Sequence, residues 1–116
     1  MSSRSEQLVS EMAALNRQSE ELRQVLARYE EGGAVVTSRV QSGDLLTDAL
    51  EAAAGPIRRK EVTDALKAFE RARHRVRLTM FSLATEQGIT ASHLARQLGI
   101  SRQLASRLSK EAAEGA

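Results

Sequence analysis

Polar residues that can bind nucleic acid lie close together near the end of the sequence. The segment SRQLASRLSK has the spacing of a helix that buries Leu104, Ala105 and Leu108. The side chains left on its outer face are Arg102, Gln103, Ser106, Arg107 and Lys110. Arginine can hydrogen-bond the O6 and N7 atoms of guanine, and glutamine can hydrogen-bond N6 and N7 of adenine. This face therefore has the chemistry to bind base edges.

Two short helices and a tight turn are needed to position that face. Thr90 can cap a first helix, and Ser101 can cap the second. Between them, Gly99 tolerates a positive φ and Ile100 can fill the interior. The inward residues of the first helix are Leu94, Ala95 and Leu98. The pattern predicts a helical hairpin over residues 90–112.

This segment resembles the helix-turn-helix of repressor-type transcription factors, and in particular that of the lactose-repressor class. The residues that carry the resemblance are Ala95, Leu98, Gly99-Ile100-Ser101, Gln103 and Ser106-Arg107-Leu108. The lactose-repressor class has a similar Gly-Val-Ser turn followed by Ser-Arg-Val in its recognition helix. Those repressors also carry sugar-binding domains, and we expect none in this chain of 116 residues.

The resemblance implies that the second helix of the hairpin enters the major groove of double-stranded DNA. The residues expected to contact bases are Arg102, Gln103 and Ser106. The residues expected to contact phosphates are Thr90, Arg96, Ser101, Arg107 and Lys110.

Catalysis and metal binding have no basis in this sequence. The chain has no cysteine, and its two histidines, His74 and His93, have no further ligand at a convincing metal-binding spacing. Phosphate-binding glycine loops and combinations of a nucleophile with a base are also absent. We expect no metal, no cofactor and no enzymatic activity.

Charge is distributed unevenly along the chain. Residues 1–55 contain five Lys/Arg and nine Asp/Glu, a net charge of −4, whereas residues 56–116 contain twelve and six, a net charge of +6. The basic half includes the predicted hairpin, as expected if that half contacts a polyanion. The run RARHRVR at 71–77 is a second candidate for phosphate contacts, but helical spacing spreads its arginines around the helix. A solvated, partly ion-paired face is the favoured interpretation of this run.

A coiled-coil pattern occupies the first part of the chain. Ser3 and Glu6 match a capping box, and Gly32-Gly33 predicts the end of a helix over residues 4–31. The apolar seam consists of Leu8, Met12, Leu15, Leu22, Leu26 and Tyr29, interrupted by Ser19. We expect the seam to join two copies in a homodimer. The alternative is that it packs on later helices of the same chain.

The rest of the chain also has helical spacing, so the predicted fold is all-α. Residues 34–54 form a helix that Ser42-Gly43-Asp44 can divide, with Asp44 capping the second piece. Gly55-Pro56 ends it, and a long helix over 57–87 follows, with Gly88 as its left-handed cap. The apolar face predicted for the long helix is Val62, Leu66, Phe69, Val76, Met80 and Leu83. The predicted organisation is an association helix over 1–31 and a helical domain over 34–116.

The sequence favours a cytoplasmic, nucleoid-associated protein. The N-terminus carries Glu6 and Glu11 where a signal peptide needs an apolar run, and no segment approaches the roughly 20 apolar residues that span a bilayer. Since the sequence ends six residues after Lys110, we expect neither a β-hairpin wing nor an effector domain.

The predicted function is sequence-specific binding of duplex DNA by a transcriptional regulator. Two alternatives stay open. The chain can be a coiled-coil adaptor for a protein such as a component of the transcription machinery, or it can bind DNA through phosphates alone, without regard to sequence.

Overall fold

A computed structural model describes residues 2–115, and over that range the chain forms five α-helices and no strand. The helices are α1 (Ser3–Gln41), α2 (Leu46–Ala52), α3 (Gly55–Glu86), α4 (Ala91–Leu98) and α5 (Arg102–Glu114). The all-α prediction is confirmed. Within the described range, none of the helices combines the length and the apolar character needed to cross a membrane.

The chain divides into two compact units. The terminal unit contains the residues up to Leu15 and those from Arg71 onward, and the middle unit contains Asn16–Glu70. Both α1 and α3 contribute residues to each unit. These boundaries differ from the division predicted at residues 31–34, and the association role of residues 1–31 stays a prediction.

In the terminal unit, a partly buried hydrogen bond joins the first part of α1 to α3. The hydroxyl of Thr79, a buried residue, donates to Oε2 of Glu11 over 2.7 Å. The other carboxylate oxygen of Glu11 accepts from Nε2 of Gln7 over 2.7 Å. A buried hydroxyl without a partner would cost about 1–3 kcal/mol, so this bond favours one register of the two helices.

The start of α1 differs slightly from the predicted capping box. The hydroxyl of Ser2 accepts a hydrogen bond from the backbone N–H of Ser5 at 3.1 Å, and Ser3 is already helical. The N-cap is therefore Ser2 and the predicted cap at Ser3 is wrong by one residue. Either serine can supply the oxygen that the first free N–H groups of a helix need.

The predicted end of the first helix at Gly32-Gly33 is wrong, because α1 continues to Gln41. A Cβ at Gly32 would lie 3.4 Å from the carbonyl oxygen of Ala53 and 3.8 Å from Cγ of Arg58. Gly32 is thus where α1 passes close to the end of α2 and the start of α3. Two glycines in a helix cost about 1 kcal/mol each relative to alanine, and tertiary packing in the middle unit offsets that cost.

The break predicted at Ser42-Gly43-Asp44 is confirmed, but its capping residue is wrong. Gly43 has φ +90°, its N–H donates to the carbonyl of Val40, and the N–H of Asp44 donates to that of Arg39. These two bonds form a glycine-based helix end. The N-cap of α2 is Leu45, without a side-chain hydrogen bond. The carboxylate of Asp44 instead accepts from Arg39 at 3.2 Å.

The long third helix is confirmed, with two corrections. It begins at Gly55, so Gly55-Pro56 opens α3 instead of standing outside it. Proline suits the first turn, where its missing N–H has no helical partner. The predicted face is confirmed only in part: Val76 is buried, Leu66 is exposed, and the other predicted members, Val62, Phe69, Met80 and Leu83, are half-buried. The remaining buried residues of α3 are Ala65, Ala72, Thr79, Phe81 and Ala84. Small side chains line the tightest contacts, which a search for large apolar residues overlooks.

The predicted association seam is partly covered within the chain itself. Its members Leu8, Met12, Leu15 and Leu22 are half-buried, and Leu26 and Tyr29 are exposed. The one buried residue of α1 in the described range is Val25, which lies outside the predicted seam. The first part of the seam is therefore partly covered by packing within the chain, and its pairing with a second copy stays a prediction.

Candidate nucleic-acid interface

Three residues give the C-terminal hairpin, formed by α4, α5 and the turn between them, its predicted local structure. The hydroxyl of Thr90 accepts from the N–H of His93, and that of Ser101 accepts from the N–H of Leu104, both over 3.1 Å. Gly99 is left-handed, with φ +69° and ψ +32°. At the end of α4, the N–H of Gly99 donates to the carbonyl oxygen of Arg96, and the N–H of Ile100 donates to that of Ala95. Both predicted caps and the predicted turn are confirmed.

The hairpin packs on the second half of α3 through a small apolar core. Its buried residues are Phe81, Ala95, Ala105, Leu108 and Ala112. Around them pack the partly buried residues Leu78, Ala91, Leu94, Leu98, Ile100 and Leu104. All residues predicted to face inward from the two short helices belong to this core. The buried alanines Ala95 and Ala105 leave room for the two helices to lie close together.

We expect Ser101→Ala to lower the free energy of unfolding by about 1 kcal/mol, because α5 loses the acceptor for the N–H of Leu104. Ser101→Asp is the matched control, since aspartate caps helices about as well as serine. Urea denaturation followed by circular dichroism measures both variants. Equal stability of Ser101→Ala and the parent chain would show that this cap does not stabilise the hairpin.

All eight residues predicted to contact DNA are exposed. At about 100° per residue, Gln103, Ser106 and Lys110 lie in the middle of the exposed face of α5, with Arg102 and Arg107 on its two flanks. Lys110 is about 12 Å along the helix axis from Arg102, at 1.5 Å per residue. The outer face of α5 thus presents a polar stripe with a cation at each end and a third, Arg107, at one side.

A shallow depression of about 420 Å³ lies between the start of α4 and the outer face of α5. It brings together Arg102, Ser106 and Lys110 of the predicted site. The other residues that line it are Ala91, Ser92, Ala105, Ser109 and Ala113. Gln103, Thr90, Arg96, Ser101 and Arg107 lie outside the depression. Small side chains and two cations are a suitable lining for the close approach of an anionic polymer.

The hairpin has an excess of unpaired positive charge. Residues 87–110 contain no Asp or Glu. Arg96, Arg102, Arg107 and Lys110 have no ion pair with any acidic residue among those that the structure describes. Glu111, the nearest acid in sequence, is held by Nε2 of His74 at 2.9 Å. Four exposed cations without counter-charges form a surface that attracts polyanions.

Three features of this part of the structure were not predicted from the sequence. Ser109 and Ala113 line the depression, and their spacing of three and seven residues from Ser106 on α5 was a signal for the same face. Ser92 joins them from the first turn of α4. The contact between His74 and Glu111 spans 37 positions, and no local pattern could have indicated it.

The arginine run at 71–77 does not form one exposed surface. Arg71 and Arg75 are exposed, whereas Arg73 and Arg77 are half-buried. Arg73 interacts with another residue, and Nε2 of His74 lies 2.9 Å from a carboxylate oxygen of Glu111. The favoured interpretation of the run as a solvated, partly ion-paired helix face stays a prediction.

Among residues 2–115, no group of three or more His, Cys, Asp or Glu side chains is arranged to hold a metal ion. Comparison of the chain with protein-family models, curated proteins and solved structures finds no match. We therefore infer the function of the hairpin from its own geometry and charge.

Proposed function

We propose that this chain binds double-stranded DNA sequence-specifically through the C-terminal hairpin and regulates transcription. One observation carries the proposal. The helix α5 is capped and held on an apolar core, and its exposed face presents Arg102 and Gln103 among cations that have no acidic partner in the described residues. An α-helix of about 10–12 Å diameter fits the major groove of B-DNA, which is about 12 Å wide.

The two kinds of side chain on the hairpin have different roles in this proposal. Arg102 and Gln103 hydrogen-bond base edges from the first turn of α5, and Ser106 does so one turn later. Arg107 and Lys110, farther along the helix, contact phosphates, as does Arg96 on α4. The hydroxyls of Thr90 and Ser101 use an oxygen lone pair for capping and still have their own hydrogen to donate to a phosphate.

Assembly and location follow from the same proposal. A homodimer presents two hairpins, and dimeric readers of this kind bind two half-sites related by symmetry. The predicted seam from Leu8 to Tyr29 is one candidate for the contact between the copies. In this proposal the protein lies on the nucleoid in the cytoplasm, where a component of the transcription machinery is a further partner.

The proposal is tested by selecting preferred duplexes from a random pool with the purified chain, then measuring their affinity over a range of salt concentrations. Arg107→Ala and Lys110→Ala should weaken preferred and random duplexes alike. Each should reduce the slope of log affinity against log salt by about one unit per lost phosphate contact. Arg23→Ala removes an exposed cation of the middle unit and is the matched control, expected to change neither quantity.

Each alternative function has its own outcome in this experiment. An absence of duplex affinity at low salt would overturn the proposal in favour of the protein adaptor. Equal affinity for all duplexes would favour sequence-independent binding, since specific sites normally bind about 10³–10⁷ times more tightly than random DNA.

A further inference from the structure

Exposed apolar side chains are concentrated in the middle unit. Eleven large hydrophobic residues are exposed among those that the structure describes, and nine of them lie within Asn16–Glu70. These nine are Leu26, Tyr29, Val35, Val40, Leu45, Leu46, Leu50, Ile57 and Leu66. Apolar surface gathered in one part of a small domain is typical of a protein-binding site. The terminal unit, which contains the hairpin, has only Val9 and Ile89 of this kind in the described range.

Two of these nine residues, Tyr29 and Leu50, line a concave part of the middle unit. Two depressions of about 380 and 690 Å³ share Leu50, Gly55 and Arg59, and we call them together the middle groove. One wall is a face of α1 that includes Tyr29 and Val36. The other walls are α2 and the first turns of α3. The groove is therefore built entirely within the middle unit.

One cation at the middle groove lacks a counter-charge. Arg58 pairs with Glu61 at 3.0 Å, and Lys60 pairs with Asp64 at 2.7 Å. Arg59 lies between them in sequence, is exposed, and has no ion pair with the residues that the structure describes. An acidic group on whatever occupies the groove would satisfy it.

The short helix α2 carries exposed leucines and a carboxylate without a counter-charge among the described residues. Ala49 and Ala53 are buried, while Leu46 and Leu50, one turn apart, are 60% and 44% exposed. Glu51 follows Leu50, is exposed, and has no ion pair within the described range. The α2 wall of the groove therefore has an exposed leucine, Leu50, next to an unpaired carboxylate, whereas the α3 wall has an unpaired guanidinium.

We propose that the middle groove is a contact between two copies of this chain. Leu50 of each copy packs against the groove of the other, and Glu51 pairs with the partner's Arg59, twice by symmetry. A symmetric contact needs both complementary halves on one surface patch. Within the described residues, the middle unit has both an unpaired carboxylate, on Glu51, and an unpaired guanidinium, on Arg59. A groove that binds an unrelated protein needs only one of these two charges. This assembly does not depend on DNA binding.

Sedimentation of the full chain without DNA tests the contact. We expect the parent to dimerise, and Glu51→Arg or Arg59→Glu to raise the dimer dissociation constant at least about tenfold, because each places two like charges together. An equimolar mixture of these two variants should dimerise about as well as the parent, since both cross-pairs are then of opposite sign. Each variant chain carries only one of the two charge reversals, so dimerisation of the mixture requires pairing between the two chains. Glu20→Arg, on the side of α1 opposite Tyr29, is the matched control and should dimerise normally.

A second pair of variants tests the apolar part of the contact. Leu50→Arg should give a folded monomer, and Val9→Arg, which alters an exposed residue of the terminal unit, should stay dimeric. A monomeric parent, a dimer insensitive to Leu50→Arg, or a mixture that fails to associate would each overturn the inference. Circular dichroism confirms folding, and if Leu50→Arg is unfolded, the mixture of charge variants decides.

Discussion

Arg102→Ala and Gln103→Ala should each weaken binding to the preferred duplex by about 1–3 kcal/mol and relax the choice of base at one position. Both side chains are exposed at the start of α5, where the first turn of a capped helix can reach into the major groove. Affinity for random duplexes should change much less in both variants. The change should be smallest for Gln103→Ala, because this variant removes no charge. Titration of each variant against the preferred duplex and against single-base changes of it measures both effects.

The controls for this experiment lie outside the outer face of α5. Gln97→Ala removes an exposed glutamine of α4, and Arg23→Ala removes an exposed arginine of the middle unit. Both should keep full affinity and full preference. If folded Arg102→Ala and Gln103→Ala chains also keep full preference, the hairpin is not the reader, and the adaptor or sequence-independent function takes its place.

Phe81→Ala should lower the free energy of unfolding by about 3–5 kcal/mol. Phe81 is 2% exposed and packs from α3 into the core of the hairpin, so its removal leaves a cavity beneath α4 and α5. A loss of this size is a large part of the roughly 5–15 kcal/mol that stabilises a typical domain. Urea denaturation monitored by circular dichroism gives the change.

Phe69→Ala is the matched control for Phe81→Ala, because it removes the same side chain from a half-buried position on the same helix. Its cost should be smaller, since less apolar surface returns to water. Equal losses for the two variants would contradict the central position of Phe81 in the core. Duplex binding by Phe81→Ala should fall with the fraction of folded chain, which separates this loss from a loss of contacts.

Much of the hairpin was predictable because its determinants are local. Thr90 and Ser101 bond N–H groups three positions away, and Gly99 adopts its left-handed conformation for its own steric reasons. The inward positions of Ala95, Ala105 and Leu108 follow from helical periodicity. The sequence by itself therefore determined the two helices, the turn between them and the exposed face that carries Arg102 and Gln103.

The positions of the long helices depend on distant residues, so only the tertiary structure decided them. Gly32-Gly33 favours a helix end locally, yet α1 continues because Ala53 and Arg58 pack over Gly32. Leu66 has the spacing of a buried residue and is exposed. The depression next to Ser109 and the groove next to Leu50 exist only where separate helices meet. Periodicity reports that a helix has an apolar side, but which side is covered depends on the shape of the helices packed against it.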